Sequence, residues 1–523
     1  MELKSEKMEI QILTSKNKTE LENKAVYCWG YVAGNLKELC KEFAVADKVT
    51  AILEDNPKWQ GNFFKTGDAT EAIPVVTPEI LHQIKEESAI IITADYPQEV
   101  LERIEQNNYL QGKSCRLFRF VNQLEQIDLQ YRAQYKETPL ENIIIFRSGP
   151  YRKDYVRGTD FWDNSRALFE YMLEQGYNQK YKLVWLVKNP LEFKRYDGVH
   201  NVEFLSFDWE DSENREERDR YYHALCLAKY IFTTDAYGFA KNARADQVRI
   251  QLWHGCGFKT RNNFIRCEKR YDYTTVVSDL YADIHADIYG LRKDQVLITG
   301  YAKHDWLFQP YDEDLSEVLG ITKASNYVFW LPTFRIADDS ISSLNQYEIN
   351  PETGLPIVAN RKQMIQLNEL LKSMDITLVV KLHPLQKNVL VKDYQCSNIA
   401  IFRHVDLLES GLAINRLLAS ASAMISDYSS AAVDFLVLDR PLAFTLDDVE
   451  EYENSRGFVF DNIKEWLPGR EVFDFNDFCT FLREVAAGQD ISAQKRQRIS
   501  EKLLQYKDNQ NCRRILEAFG IEK

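Results

Sequence analysis

The sequence predicts an α/β protein made of Rossmann-like units: two facing each other across a cleft, and a third preceding them. Three observations carry this. The chain has 523 residues, enough for about three domains at roughly 150 residues each. Short apolar runs of strand type alternate with helical runs along most of its length. Several of the strand-like runs end directly in histidine, glycine or serine, and open α/β sheets bind ligands outside the carboxyl ends of their strands.

The first block runs from about Asn23 to Gln130. It opens with a strand at Ala25 to Trp29, followed by Gly30, Gly34 and a helical stretch from Leu36 to Phe43. A second strand, Val49 to Leu53, ends at Glu54-Asp55, and Ala89 to Thr93 reads as a buried strand. Gly30 to Gly34 with an acidic residue about 20 positions on is a worn version of a dinucleotide fingerprint. Its three-glycine spacing is absent, so a tight turn in an accessory domain accounts for it better. Leu124 to Pro139 is polar and reads as a linker helix.

The second block has strands at Asn142 to Phe146, Lys182 to Val187, Tyr230 to Thr233 and Val248 to Leu252, with a helix at about Phe161 to Glu174. The third starts near Val296. Its strands are Val296 to Thr299, Tyr327 to Leu331, Ile376 to Leu382, Ala423 to Ser426 and Pro441 to Phe444. The expected domains are therefore 1–135, 140–298 and 299–523, the last including C-terminal helices.

Composition narrows the function classes. Hydrophobic residues make up 45% and charged residues 28%, the balance of a globular protein with ample core. A formal net charge of −14 argues against a general nucleic-acid partner, although local positive sites on an acidic body can still bind anions. The nine cysteines are scattered without a CxxC pair; they read as reduced thiols of a cytoplasmic protein, with neither zinc site nor disulfide framework. The N-terminal MELKSEKMEIQILTSKNKTE lacks the apolar region of a signal peptide. No run of about 18 apolar residues occurs, so any membrane involvement is expected to be peripheral, at the inner face. Ser492 to Phe519 is helical in pattern and locally basic at Lys495, Arg496, Arg498 and Lys502. An anionic membrane surface would suit it, and so would an ordinary solvated helix face.

Three strand ends carry chemistry. Val248 to Leu252 runs into Trp253-His254-Gly255-Cys256-Gly257-Phe258-Lys259. The histidine points to general-base work, the glycines to close backbone approach to a ligand, and Lys259 to offsetting phosphate charge. A core histidine before a turn explains the same residues. Ile376 to Leu382 ends at His383-Pro384, with Lys381 inside an otherwise apolar strand, where an unpaired charge is costly. A bound phosphate or a carboxylate would relieve it. Ala423 to Ser426 leads into Asp427-Tyr428-Ser429-Ser430 and the helical run Ala431 to Leu438. That helix start is a candidate anion seat, or an ordinary cap. Thr333 and Arg335 follow another strand, and Arg335 could fork onto a phosphate. No GxxxxGK[ST] loop occurs. Asp312-Glu313-Asp314 lies in a polar stretch and reads as a loop or helix start, so no metal and no cofactor are expected.

Taken in order, Trp253-His254-Gly255 with Lys259, Thr299-Gly300 with Asp305, Pro332-Thr333-Phe334-Arg335, Lys381-Leu382-His383-Pro384 and Ser426 to Ser430 form a pattern. Asp434-Phe435 and Arg440-Pro441 follow, then Tyr452, Arg456-Gly457-Phe458 and Asp461. Together they resemble the CDP-glycerol glycerophosphotransferase family of teichoic-acid and capsule polymerases, over about Asn142 to Phe475. The resemblance implies a GT-B fold and a CDP-glycerol donor. It implies transfer of glycerol phosphate to a hydroxyl of a polymer or lipid-linked acceptor, with release of CMP. His254 and His383 are then the catalytic candidates, and Lys259, Thr333, Arg335, Lys381, Asp427, Ser429 and Ser430 the donor contacts. One segment departs: where the family usually reads G-x-P-R-x-D, this chain has Ala302 and Lys303. CDP-ribitol as donor, a nucleotide-sugar glycosyltransferase and a non-catalytic scaffold of a polymer-synthesis complex are the rival readings.

Overall fold

The computed structural model describes residues 10–57, 59–65, 72–84, 87–149, 156–236, 238–259, 270–333, 352–383, 396–455 and 457–523. The chain divides into two compact units, Met1–Gln134 and Tyr135–Lys523.

The first unit holds one seven-stranded sheet, in the order β1-β7-β6-β2-β3-β5-β4. Its strands are β1 (Ile10–Ile12), β2 (Ala25–Trp29), β3 (Val49–Leu53), β4 (Phe63–Phe64), β5 (Ile73–Val76), β6 (Ser88–Ile92) and β7 (Cys115–Arg119). All pairs are parallel except β4 with β5. The chain reverses beside β2, where Gly30 and Glu54 stand. Glu54 accepts the backbone N–H of Tyr31 at 2.8 Å and of Asn56 at 2.9 Å. A Cβ on Gly30 would fall 2.7 Å from Ala94. The acidic residue thus shapes its own loop, and the glycine admits the neighbouring strand's continuation.

The second unit contains two parallel sheets. One is β8 (Glu141–Ser148), β9 (Lys182–Val187), β10 (Val202–Ser206), β11 (Ala228–Thr234), β12 (Val248–Gln251), β13 (Tyr273–Val276) and β14 (Val296–Ile298), ordered β10-β9-β8-β11-β12-β13-β14. The other is β15 (Asn326–Leu331), β16 (Ile376–Leu382), β17 (Ile399–Arg403), β18 (Ala423–Ser426), β19 (Leu442–Thr445) and β20 (Arg470–Val472), ordered β17-β16-β15-β18-β19-β20. The strand at Val296, which the sequence suggests as the start of the third block, pairs with β13 and closes the earlier sheet. The short β10, β13 and β20 carry weak patterns and escape a reading by apolar runs.

The two halves of this unit share a core. Trp253, Phe258 and Val276 from the first half cluster with Phe329, Leu331, Met424, Phe444 and Tyr452 from the second. The chain end returns to the first half: Cys512, Ile515, Leu516 and Ile521 pack with Ile144, Phe146, Trp185 and Phe232. No helix among the described residues is long and apolar enough to cross a membrane.

Candidate active site

Strand β12 delivers the first histidine. At its last residue, Gln251 Oε1 accepts the backbone N–H of both Asp235 and Trp253 at 3.1 Å, tying two strand ends together. His254 Nδ1 lies 2.6 Å from Asp235 Oδ1, and its ring stacks on Trp253. Three non-glycine residues around this point have positive φ: Asp163 at 56°, Asp235 at 58° and Trp253 at 61°. Each such residue costs on the order of 1–3 kcal/mol and persists only where its surroundings fix it. Their convergence on one half-buried histidine marks a built site.

Asn164 clasps the same loop from the side. Its Nδ2 donates to the Trp253 carbonyl at 2.9 Å, and its Oδ1 accepts the Lys303 N–H at 3.0 Å. Below lies a charged group that motif reading did not assemble. Buried Lys303 Nζ sits 3.2 Å from Asp163 Oδ2, 3.0 Å from Asp434 Oδ2 and 2.5 Å from the His254 carbonyl. His304 Nε2 meets the other Asp434 oxygen at 2.8 Å. Burial works against the Lys303 ammonium, but Asp163 and Asp434 outweigh it and hold its pKa above the ordinary lysine value. Burial would raise Asp434, yet Lys303 and His304 prevail and hold it at about 2. In Asp163 burial wins and the carboxyl is raised.

The second half supplies the facing wall. Gly255 and Gly257 run against Ser430: a Cβ on Gly255 would come 2.6 Å from Ser430 Oγ and 2.8 Å from its Cβ, and one on Gly257 3.2 Å from its Cα. The glycines expected to admit a ligand thus admit the other half of the protein. Ser429 Oγ accepts the Ala431 N–H at 3.4 Å, while Ser430 makes no side-chain cap to the helix Ala431–Phe435. Asp427 Oδ2 accepts both the N–H and the hydroxyl of Thr333, at 2.8 and 2.6 Å. Asp427 and Thr333 therefore fasten the ends of β18 and β15 to each other. The Lys381 ammonium, near the end of β16, has no hydrogen bond or ion pair among the described residues. Burial pushes its pKa down to about 8, with Lys303 adding to the shift and Asp163 opposing it. His383 follows β16, half-buried. Lys259 forms an antiparallel bridge with Phe458, whose ring packs on Tyr428 and Tyr452. Arg335 lies outside the described residues.

The family model for CDP-Glycerol:Poly(glycerophosphate) glycerophosphotransferase matches residues 131–519. The chain belongs to this family. Among its relatives, the teichoic acid poly(glycerol phosphate) polymerase of Bacillus spizizenii is 25% identical over 63% of this chain and 80% of its own. The teichoic acid glycerol-phosphate primase of Bacillus subtilis is 29% identical over 48% of this chain and 64% of its own. The teichoic acid ribitol-phosphate polymerase TarK of Staphylococcus aureus is 22% identical over 87% and 83%. The solved wall teichoic acid polymerase TagF superposes with a TM-score of 0.56 at 18% identity, covering 82% of this chain and 97% of that one. The parallel-sheet α/β fold is thus shared with TagF.

Within this glycerophosphotransferase family member, two further sequence marks take structural places. Asp305 Oδ1 and Oδ2 accept the N–H groups of Asn511 and Cys512, both at 2.9 Å, and so cap the last helix. Asp314 caps the helix Leu315–Leu319. Asp163 and Asp235 were missed because neither stands in a motif; a single acid gains meaning only once a tertiary partner is known.

Proposed function

We propose that the chain transfers glycerol phosphate from CDP-glycerol to a hydroxyl of a cell-surface polymer or its primer, releasing CMP. The observation that carries this is the Asp235–His254 pair, on a loop whose next residue, Gly255, packs against Ser430, in a chain of the glycerophosphotransferase family. On this reading 140–298 is the acceptor side and 299–523 the donor side of a GT-B enzyme, with 1–135 an accessory domain.

With Nδ1 donating to Asp235, His254 presents Nε2 to the acceptor. That nitrogen takes the hydroxyl proton as the oxygen bonds to the glycerol-bearing phosphorus. The phosphoanhydride P–O bond breaks, and its electron pair leaves with CMP. His383 and Lys381 offset the charge that gathers on the phosphates, with Lys259, Arg335, Ser429 and Ser430 as further donor contacts. Asp427 is a carboxylate and would repel a phosphate; it acts through Thr333 instead. Positioning and preorganised charge supply most of the acceleration.

CDP-ribitol is the second reading, favoured by the long match to TarK. Lys464, Lys495, Arg498 and Lys502 line a surface pocket with Glu465 and Glu471, Lys495 being paired with Glu471; the remaining positive charge suits peripheral contact with an anionic membrane. Arg496 is not part of it: buried, it pairs with Asp439 and Asp490. The deciding experiment scores nucleotide release from CDP-glycerol, CDP-ribitol and UDP-sugars by the wild type, His254→Ala and His383→Ala. CMP from a CDP-polyol, lost in either variant, is expected. Wild-type rates in both variants, or turnover with UDP-sugars alone, would overturn the proposal.

A further inference from the structure

The ammonium of Lys303 meets three oxygens, each from a different place: it donates to Asp163 and to the His254 carbonyl, and it forms an ion pair with Asp434 at 3.0 Å. Asp163 belongs to the first half, at the start of the helix Asp163–Glu174. Asp434 lies in the second half, in the short helix that follows Ser430. The His254 carbonyl belongs to the loop that carries the histidine. Two hydrogen bonds and an ion pair thus hold Lys303 from three sides at once. A buried carboxylate left without its cation is strongly unfavourable, which makes the arrangement stiff. Lys303 is therefore in direct contact both with the base loop and with the helix behind the serines.

We propose that Lys303 is a positioning residue for the transfer: it sets the His254 loop in register with a phosphate held at Ser429–Ser430. This rests on the proposed function, since it presumes that His254 reacts and that the serines seat the donor. Two further contacts support a role in registration. Asn164, which accepts the Lys303 backbone N–H, also grips the Trp253 carbonyl. Gly255 and Gly257 leave no room for a side chain against Ser430, so a small shift between loop and helix has nowhere to go. A displacement of about 1 Å in such a geometry can cost on the order of 10²-fold in rate.

The test measures CMP release for Lys303→Met, Lys303→Arg and Asp434→Asn, with thermal melting as the check on folding. First, the wild type must release CMP from a CDP-polyol; if it does not, the functional reading fails by itself. Given turnover, Lys303→Met is expected to lower kcat by about 10²-fold while the donor KM changes little, and Lys303→Arg to recover part of the loss. If Lys303→Met does not fold, Asp434→Asn decides. It keeps the shape of the side chain but removes the charge linking Lys303 to the serine helix, and it should lower kcat with donor KM nearly unchanged. A folded Lys303→Met with wild-type kcat, or a loss confined to KM, would overturn the proposal. With Lys303→Met unfolded, an unaltered kcat in Asp434→Asn would do the same.

Discussion

At the scale of single residues, Lys381 is the most informative side chain. It stands in a strand, has no carboxylate partner among the described residues, and its pKa falls to about 8. Its proton is therefore loosely held in the free protein. A donor diphosphate favours the ammonium, so binding above pH 8 must recapture a proton that the solution has removed. Donor KM should rise with pH above 8, by up to about tenfold per unit, and the rise should vanish in Lys381→Met. A KM that stays flat to pH 9.5 in the wild type would remove Lys381 from the donor site. The sign for stability runs the other way. Between pH 8 and the unfolded lysine value near 10.4 the unfolded chain binds more protons, so this group's contribution favours the fold increasingly as pH rises. Lys381 and His254 were legible because each interrupts or ends an apolar strand. Asp235 and Asp163 were not: their meaning depends on backbone turns at positive φ that bring distant segments together.

At the scale of elements, the loop Trp253 to Lys259 and the serine helix behave as one joint. The sequence marks both, because glycines after an apolar strand and serines before a helical run are strong local signals. What it cannot mark is that the glycines are for the serines, since periodicity says nothing of which strand ends face each other. The consequence is specific. Gly255→Ala places a methyl 2.8 Å from Ser430 Cβ, inside any normal contact, and neither atom is the end of a flexible chain. Overpacking of this kind costs about 1–3 kcal/mol. The expected outcome is a folded protein with a modestly lowered melting temperature and kcat reduced roughly 10²-fold, read in the CMP assay. An unchanged kcat would show that the loop and helix can separate without harm. Asp427 and Thr333 illustrate the same limit: each stands after an apolar strand in the sequence, and only the fold shows that they bond each other.

At the scale of the whole molecule, the segment Ala302 to Phe308 joins two kinds of order. Lys303 faces the site, while Asp305, two residues on, holds the far end of the chain. Asp305 is buried and accepts the Asn511 N–H, the Asn511 side-chain amide and the Cys512 N–H, at 2.8 to 2.9 Å. The negative charge also complements the start of the helix Asn511–Ala518. That helix covers the core of the first half through Ile515 and Leu516, where each buried side chain contributes about 1.5–3 kcal/mol. Asp305→Asn keeps the volume but turns an acceptor into a donor facing N–H groups, at a cost of roughly 1–3 kcal/mol per unsatisfied group. The last helix should then open before the rest of the unit unfolds. Hydrogen exchange at residues 511–518 should accelerate, melting should begin earlier, and CMP release should fall as the connector carrying Lys303 loosens. Unchanged exchange at the last helix would show that Ile515 and Leu516 hold it without Asp305. Faster exchange with a wild-type rate would show that the connector's two ends act independently.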